Sequence, residues 1–198
     1  MRHFMSSGAS ALAALMVSTA AFAAGPPDTK ELIAAQQKAM APLKAFDGVW
    51  RGPATVSMPG GKSEITQTER VGGFLGDSVK VIEGRGYGPD GVQHFNALGI
   101  ISFSPQTGKY GFHSYAQGYS GDFPLEVSPA GFSWTAPAGP GATIRYVATV
   151  KDNTWVETGD RIVEGQPPQR IFEMALRRVN DTDWPAAGAV PQRQEGAR

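Results

Sequence analysis

The chain of 198 residues contains no cysteine and only three histidines. The lack of cysteine excludes a thiol nucleophile, disulfide bonds and thiolate metal sites. His3, His94 and His113 are far apart in the sequence, and no Gly-x-Ser-x-Gly motif is present. The sequence therefore shows neither the histidine clustering of a zinc site nor the motif of a serine hydrolase. We expect no metal ion and assign no catalytic residue.

Charge of one sign is not in excess, since 18 Lys and Arg residues balance 18 Asp and Glu residues. No basic run or stripe is present, which argues against nucleic acid or an anionic membrane surface as the partner. Long apolar runs are also lacking. The run over residues 11–17 is too short to cross a bilayer, so we expect no transmembrane segment in the mature chain.

The first 23 residues have the pattern of a secretory signal peptide. Arg2 supplies a basic start, residues 11–17 supply the apolar run, and Ala21-Phe22-Ala23 supplies small residues at the cleavage site. No cysteine follows the apolar run, which excludes a lipoprotein anchor. We expect residues 1–23 to be removed and the mature protein to be periplasmic or secreted.

The two ends of the mature chain differ from its centre. Residues 24–42 form a Gly-Pro-Pro linker and a short helix, because Asp28 and Glu31 match a capping box and Pro42 ends the helical pattern. Residues 180–198 are rich in Pro, Ala, Gly and Gln, a composition typical of a flexible tail.

Residues 43–179 show turn signals at intervals of roughly ten residues, typical of antiparallel β structure. The turns predicted from these signals are Pro59-Gly60-Gly61, Gly72-Gly73, Gly88-Pro89-Asp90-Gly91, Pro105-Gln106-Thr107-Gly108, Ser128-Pro129-Ala130-Gly131, Gly139-Pro140-Gly141, Asp152-Asn153 and Gln166-Pro167-Pro168. Strands of this kind leave exposed edges unless the sheet closes. We therefore predict an all-β fold, a single antiparallel up-and-down barrel of about ten strands preceded by the short helix.

Several motifs in this region resemble those of one family. Phe46-Asp47-Gly48-Val49-Trp50-Arg51-Gly52 is similar to the Gly-x-Trp opening strand of lipocalin-like (calycin) barrels. Three further segments resemble a bacterial family of exported proteins with this fold; they are Glu83-Gly84-Arg85-Gly86, Ser104-Pro105-Gln106-Thr107-Gly108-Lys109-Tyr110 and Ile144-Arg145-Tyr146. The resemblance implies that Gly48, Trp50 and Arg178, with Arg177 as the alternative to Arg178, form one end of the barrel. It implies a fold and no activity.

Aromatic and ionisable residues on the predicted strands are candidates for lining a lumen. The candidate ligand-binding residues are Phe112, His113, Tyr115, Trp134, Arg145, Trp155, Glu157 and Glu173. Strand alternation prevents all of them from facing inward, because His113 and Tyr115 share a face that excludes Phe112. By resemblance, related small barrels bind haem through a histidine near the end of the chain, where this sequence has none. We expect no cofactor; haem bound through an inward-facing His113 is the alternative.

Three functions fit this reading. The favoured one is an exported protein that holds a small amphipathic or apolar molecule in the barrel lumen without transforming it. The second is a calycin-type enzyme that uses acid and base residues in the lumen, and the third is a filled barrel that acts as an envelope interaction module. A cavity would separate the third from the others, and perturbed titration inside it would separate the second from the first.

The signal-peptide pattern yields a first prediction. Cleavage after Ala23 is expected to place the mature N terminus at Ala24 or a neighbouring residue, because small residues at Ala21 and Ala23 fit the cleavage site. N-terminal sequencing of protein recovered from the envelope fraction tests this. An intact Met1 on folded cytoplasmic protein would contradict it.

Overall fold

The structure is a computed structural model that describes residues 28–58 and 60–185. The predicted signal peptide, the first part of the predicted linker and the predicted tail beyond residue 185 lie outside these ranges. Within them, no helix combines the length and apolar character needed to span a membrane.

The N-terminal helix, α1, covers Thr29–Met40 and begins as its capping motif predicts. The side chain of Asp28 accepts a hydrogen bond from the backbone N–H of Lys30 at 2.9 Å, which satisfies one of the free donors of the first turn. The helix ends before Pro42, as predicted. The chain continues as a 3₁₀-helix over Ala41–Phe46 that has this proline in its first turn.

Eleven strands follow. They are β1 (Gly48–Met58), β2 (Gly61–Phe74), β3 (Val79–Tyr87), β4 (Gln93–Ser104), β5 (Lys109–Ala116), β6 (Tyr119–Phe123), β7 (Leu125–Ser128), β8 (Gly131–Pro137), β9 (Ala142–Lys151), β10 (Thr154–Val163) and β11 (Gln169–Asn180). Two turns among them were not predicted, and the first, over residues 75–78, joins β2 to β3. Gln117 and Gly118, with φ of 51° and 85°, form the tight turn between β5 and β6, and glutamine is not a residue that signals such a turn.

The predicted turn at Gly72-Gly73 is wrong, because both glycines continue β2, which runs on to Phe74. Other parts of the chain pack closely on them. A Cβ atom on Gly72 would lie 2.6 Å from Cβ of Trp184, and one on Gly73 would overlap the carboxylate of Asp77. Close packing against the strand, rather than a turn, therefore requires glycine at these positions.

The first residues of the predicted tail pack on the outer face of β2. The guanidinium of Arg70 lies 4.6 Å from the ring centroid of Trp184 and forms an ion pair with Asp183. The Trp184 ring also contacts Phe74 edge-on, with centroids 5.7 Å apart. These contacts hold residues 183–184 against the outside of the barrel.

The strands form one antiparallel sheet in the order β6-β5-β4-β3-β2-β1-β11-β10-β9-β8-β7. Neighbours in the sequence pair with each other, and β1 also pairs with β11. The edges of the sheet, β6 and β7, are consecutive in the chain and are joined by Pro124. The predicted all-β antiparallel barrel is confirmed, and it is nearly closed.

Aromatic rings bring the two edges together along the line between β6 and β7, which we call the seam. The ring of Trp134 on β8 lies 5.0 Å from that of Phe112 on β5 and 5.4 Å from that of Phe123 on β6. The backbone N–H of Thr135 also donates to the carbonyl of Pro124 at 3.2 Å. Each ring pair contributes about 0.5–1.5 kcal/mol beyond the apolar area that it buries.

The 3₁₀-helix covers one end of the barrel, which we call the closed end. The Phe46 ring packs against Phe132 and Trp155, with ring centroids 5.0 Å apart in both pairs. Trp50 packs edge-on against Trp155 at 5.8 Å, and its indole Nε1 donates to the carbonyl of Phe46 at 2.8 Å. Trp50 is fully buried, so its N–H needs this acceptor.

Trp50 and Arg178 are in contact where β1 pairs with β11. Cζ of Arg178 lies 4.3 Å from the Trp50 ring centroid. The guanidinium also donates to the carbonyl of Ala45 at 2.8 Å and to that of Asp47. Gly48 has a φ of 142°, and a Cβ atom there would collide with the guanidinium. The three residues that the resemblance assigned to a barrel end thus form one packed unit at the closed end.

A buried ion pair supports the same end. Lys80 on β3 is 1% exposed, and its Nζ lies 2.5 Å from Oδ1 of Asp47, which follows the 3₁₀-helix. This pairing offsets the cost of burying the ammonium group and fixes the start of β1.

The packing at the closed end yields a second prediction. Trp50→Ala should lower the free energy of unfolding by about 3–5 kcal/mol, because it removes a buried indole and leaves a cavity. Arg178→Gln should cost about 1–3 kcal/mol, because it removes the cation from the ring and charged hydrogen bonds from two carbonyls. Urea unfolding measures both, with the exposed Arg177→Gln as the control. Equal stability of the Arg178 and Arg177 variants would contradict the assignment.

Candidate functional site

The half of the barrel interior that lies away from the closed end is the candidate site, and we call it the chamber. Several of the larger side chains that face it are half-buried, whereas those at the closed end are fully buried, so water reaches the side chains at this end. The larger half-buried residues that line it are Ile65, Phe123, Trp134, Tyr146 and Phe172. The chamber is therefore mainly apolar at its mouth.

One side of the chamber is a row of rings that we call the aromatic wall; it comprises Phe112, Phe123, Trp134, Tyr146 and Phe172. Trp134 and Tyr146 are stacked, with centroids 4.2 Å apart and planes 11° from parallel. Tyr146 also contacts Phe172 edge-on at 6.1 Å. The rings come from separate strands, so strand pairing sets the shape of the wall.

Small residues on β3, β4 and β5 form the other side. Larger side chains already lie over two of them. A Cβ atom on Gly84 would be 2.8 Å from Glu69 Oε1, and one on Gly99 would be 2.6 Å from the Phe112 ring. Ala97 and Ala116, which are paired across β4 and β5, are half-buried. Larger side chains at these alanines would extend into the chamber.

Two glutamates, Glu69 on β2 and Glu157 on β10, lie in this interior. Each is 8% exposed. Gln67 donates to Glu69 Oε1 at 2.7 Å. Among the described residues, neither carboxyl group has a lysine, arginine or histidine nitrogen within 4.0 Å. Both are therefore buried acids without a cationic partner.

Burial dominates the titration of both carboxyl groups. It raises the pKa of Glu157 to about 7, while the indoles of Trp134 and Trp155 act in the opposite direction. Burial also raises the pKa of Glu69 well above its usual range, the hydrogen bond from Gln67 opposes this, and the negative charge of Glu157 adds to it. Burial, reinforced by Glu157, raises the pKa of Tyr146 to about 12. Near neutral pH the chamber thus holds a glutamate that is poised between its two forms.

Trp155 links this carboxyl group to the closed end. It is 1% exposed and packs on Phe46 and Trp50, yet its Nε1 is buried without a hydrogen-bond partner in the described part of the chain. An unpaired buried donor costs about 1–3 kcal/mol. Its indole is close enough to the Glu157 carboxyl to favour the ionised form.

Four of the eight predicted ligand-binding residues face the interior. Phe112 and Trp134 belong to the aromatic wall, while Trp155 and Glu157 lie deeper on β10. The structure brings these four together, because Phe112 contacts Trp134 and the two tryptophans act on Glu157.

The other four face the outside of the barrel. Arg145 and Glu173 are exposed on the outer faces of β9 and β11. His113 and Tyr115 share the outer face of β5, with ring centroids 4.7 Å apart, and His113 Nδ1 lies 2.7 Å from Asp122 Oδ1. His113 is therefore not positioned to ligate haem iron inside the barrel.

The candidates from the sequence did not include Glu69, although a signal for it exists. Alternation places Trp50 inward. The hairpin between β1 and β2 pairs Met58 with Gly61. Counting back along this hairpin sets Trp50 opposite Glu69, on the same face. The register of the first hairpin thus predicts that Glu69 faces the interior, which alternation along β2 alone does not.

Comparison with known proteins supports the fold. No family model matches the sequence, and no curated protein matches it. Among solved structures, the chain is similar to the crystal structure of Rv2717c from M. tuberculosis, with a TM-score of 0.52 and 14% sequence identity. The match covers 72% of this chain and 96% of that chain. At this identity the likeness extends to the fold alone.

The buried glutamate yields a third prediction. Between pH 4.5, its ordinary pKa, and about pH 7, the folded state keeps the Glu157 proton that the unfolded chain releases, so stability falls as pH rises through this window. At pH 8, Glu157→Gln should therefore be more stable than the wild type by roughly 3 kcal/mol, and near pH 4.5 the two should be similar. Urea unfolding at both pH values measures this.

The exposed Glu126→Gln on β7 is the matched control, and its stability should follow the wild type at both pH values. If Glu157→Gln also followed the wild type, Glu157 would be ionised and well solvated in the folded protein, contrary to its burial.

Proposed function

We propose that the protein binds a small, partly apolar molecule in the chamber and releases it unchanged. The observation that carries this proposal is the largely half-buried aromatic wall, beside two buried carboxyl groups that have no lysine, arginine or histidine partner among the described residues. Binding sites for small molecules combine such an apolar surface with a few polar groups that set orientation.

The aromatic wall supplies the larger part of the expected affinity. Each 100 Å² of apolar surface removed from water contributes about 2.5 kcal/mol. Association itself costs roughly 4–15 kcal/mol, so useful affinity requires a ligand that covers several rings. We infer a molecule with an extended or ring-containing apolar body.

The family assignment and the location are parts of the same proposal. The contact of Trp50 with Arg178 beside Gly48 supports a relationship to lipocalin-like (calycin) barrels, since the resemblance implied this arrangement. The pattern of residues 1–23 supports export to the periplasm or beyond. An exported binding protein would meet its ligand in the envelope or outside the cell.

A second candidate is catalysis by a calycin-type enzyme. Burial shifts the pKa of both Glu69 and Glu157 upward, and Glu157 reaches the range in which a carboxyl group both gives and takes protons near neutral pH. Chemical change of a bound probe, lost in Glu157→Gln, would favour this function over binding alone. The third candidate, an interaction module, would need the chamber to be filled.

The fourth prediction tests the chamber directly. Purified, delipidated protein should bind the apolar dye 1-anilinonaphthalene-8-sulfonate or N-phenyl-1-naphthylamine with saturable enhancement of dye fluorescence. Ala97→Phe should abolish saturation, because the new ring would occupy the space beside the small-residue side of the chamber. Leu98→Phe, one residue further on the outer face of the same strand, is the matched control and should bind like the wild type.

Loss of dye binding in Leu98→Phe would indicate that the dye binds outside the chamber. Ala97, Leu98, Tyr115 and Ala116 all line a groove on the outer rim of the barrel, so loss of binding in both variants, or in Leu98→Phe alone, would assign the dye to that groove. A lack of saturable binding by either dye would favour the interaction module.

A further inference from the structure

We propose that the ligand carries a protonated nitrogen, such as a primary ammonium group, which binds beside Glu157 while its apolar body covers the aromatic wall. This inference deepens the proposed function and rests on it. It assigns the chemical class of the ligand's polar end, which a barrel fold does not specify.

The charge balance of the interior is the first argument. A buried carboxylate is costly unless a cation accompanies it, and the described chain commits its own interior cations elsewhere. Lys80 is paired with Asp47, and Arg178 lies on Trp50 at the closed end. Arg161 faces the same side of β10 as Glu157, but its Cα lies four residues further along, about 13 Å away at 3.3 Å per residue, and the two side chains form no ion pair. A ligand cation would supply the missing charge.

The hydrogen-bond donors around Glu157 are the second argument. The indoles of Trp134 and Trp155 both favour its ionised form, and Trp155 Nε1 is buried without a hydrogen-bond partner among the described residues. Two indole N–H groups near one carboxyl group, one of them buried without an acceptor, suit a carboxylate, which only accepts hydrogen bonds, better than a carboxylic acid, which must also donate one. The surroundings are thus arranged for a carboxylate, and burial without a cation opposes that state.

The third argument is the ring surface next to this carboxyl group. Trp134 and Tyr146 are stacked, and Tyr146 on β9 pairs with Gly159, two residues from Glu157 on the same face of β10. Aromatic faces attract ammonium groups, most strongly where water is excluded. A carboxylate or phosphate at the same place would meet the negative charge of Glu157 and the negative ring faces. The site therefore distinguishes the sign of the ligand's charge.

The groups that face Glu157 define the expected pH dependence. Glu69 lies on β2, Tyr146 on β9 and Arg161 on β10 itself; the inward positions of β11 beside it are Met174 and Phe172, which do not titrate. A bound cation stabilises ionised Glu157, so binding near neutral pH should release a proton. Affinity should rise with pH until Glu157 is fully ionised, as long as the ligand nitrogen stays protonated.

Three probes with the same apolar body test the inference: 1-naphthylmethylamine, 1-naphthalenemethanol and 1-naphthoate. Isothermal titration calorimetry of the full mature chain at pH 8 should show the amine binding about tenfold more tightly than the alcohol, with the carboxylate weakest. At pH 5.5 the advantage of the amine should shrink to about threefold or less, because Glu157 is then protonated. Titration near pH 7 in phosphate and in Tris should reveal proton release with the amine alone.

Variants identify the carboxyl group responsible. Glu157→Gln should weaken the amine by about tenfold and change the alcohol by less than about threefold, which removes the preference for the cation. Glu69→Gln should have a smaller effect in the same direction, because Glu69 contributes negative potential without the indole donors. Glu126→Gln, on the outer face of β7, should bind all three probes like the wild type.

The outcomes separate this inference from the proposed function. Equal binding of amine and alcohol at both pH values, tighter binding of the carboxylate, or an amine preference that survives Glu157→Gln would each overturn the ammonium assignment and leave binding in the chamber standing. If none of the three probes bound, the ammonium assignment would fail, and the comparison of Ala97→Phe with Leu98→Phe would decide separately whether the chamber binds apolar molecules.

Discussion

Trp50 and Arg178 lie side by side where β1 pairs with β11, and this contact joins two runs of strands that otherwise pair only in sequence order. More than one hundred residues separate the two side chains, so the pairing closes a long loop at an entropic cost. No disulfide bond is available to hold it. Burial of the Trp50 indole, together with the guanidinium above it, must therefore stabilise the closure.

The same pairing creates the chemistry of the interior. Glu69 on β2 is opposite Trp50 on β1, and Glu157 on β10 is opposite Met174 on β11. One glutamate therefore lies on each side of the β1–β11 pair. Neither strand would present its carboxyl group to a dry space if the sheet were open. The raised pKa of each glutamate is a result of closure.

The sequence predicted those parts of the fold that depend on short-range signals. The cap at Asp28, the stop at Pro42 and the alternation around Trp50 each act within a few residues, and the structure has all three. The turn predicted at Gly72-Gly73 was wrong because these positions are glycine to make room for Trp184 and Asp77. Trp184 is distant in the chain, so no short-range signal reveals it. A glycine that accommodates packing looks the same in a sequence as a glycine that turns the chain.

The candidate site was predictable to a smaller extent for the same reason. Alternation correctly grouped Trp155 with Glu157, and it separated Phe112 from His113. It does not say which of the two faces is the inside. That choice depends on cross-strand register, which brings Arg145 and Glu173 to the outer surface and Glu69 to the interior. A sequence reading that propagates register from hairpin to hairpin, starting at a buried tryptophan, would recover more of the site.

The seam between β6 and β7 has a mechanical consequence. A barrel whose strands are hydrogen-bonded all the way round has a fixed circumference. It can widen only if the backbone hydrogen bonds between two whole strands break. In this barrel, β6 and β7 are the two edges of the sheet and do not pair with each other. The side chains of Phe112, Phe123 and Trp134 make the contact across the seam. Aromatic contacts can shift at a smaller cost in free energy than backbone hydrogen bonds between strands can break. The circumference can therefore change most easily at the seam. This part of the barrel lies within the aromatic wall, so a change in circumference there would also change the spacing of the wall's rings.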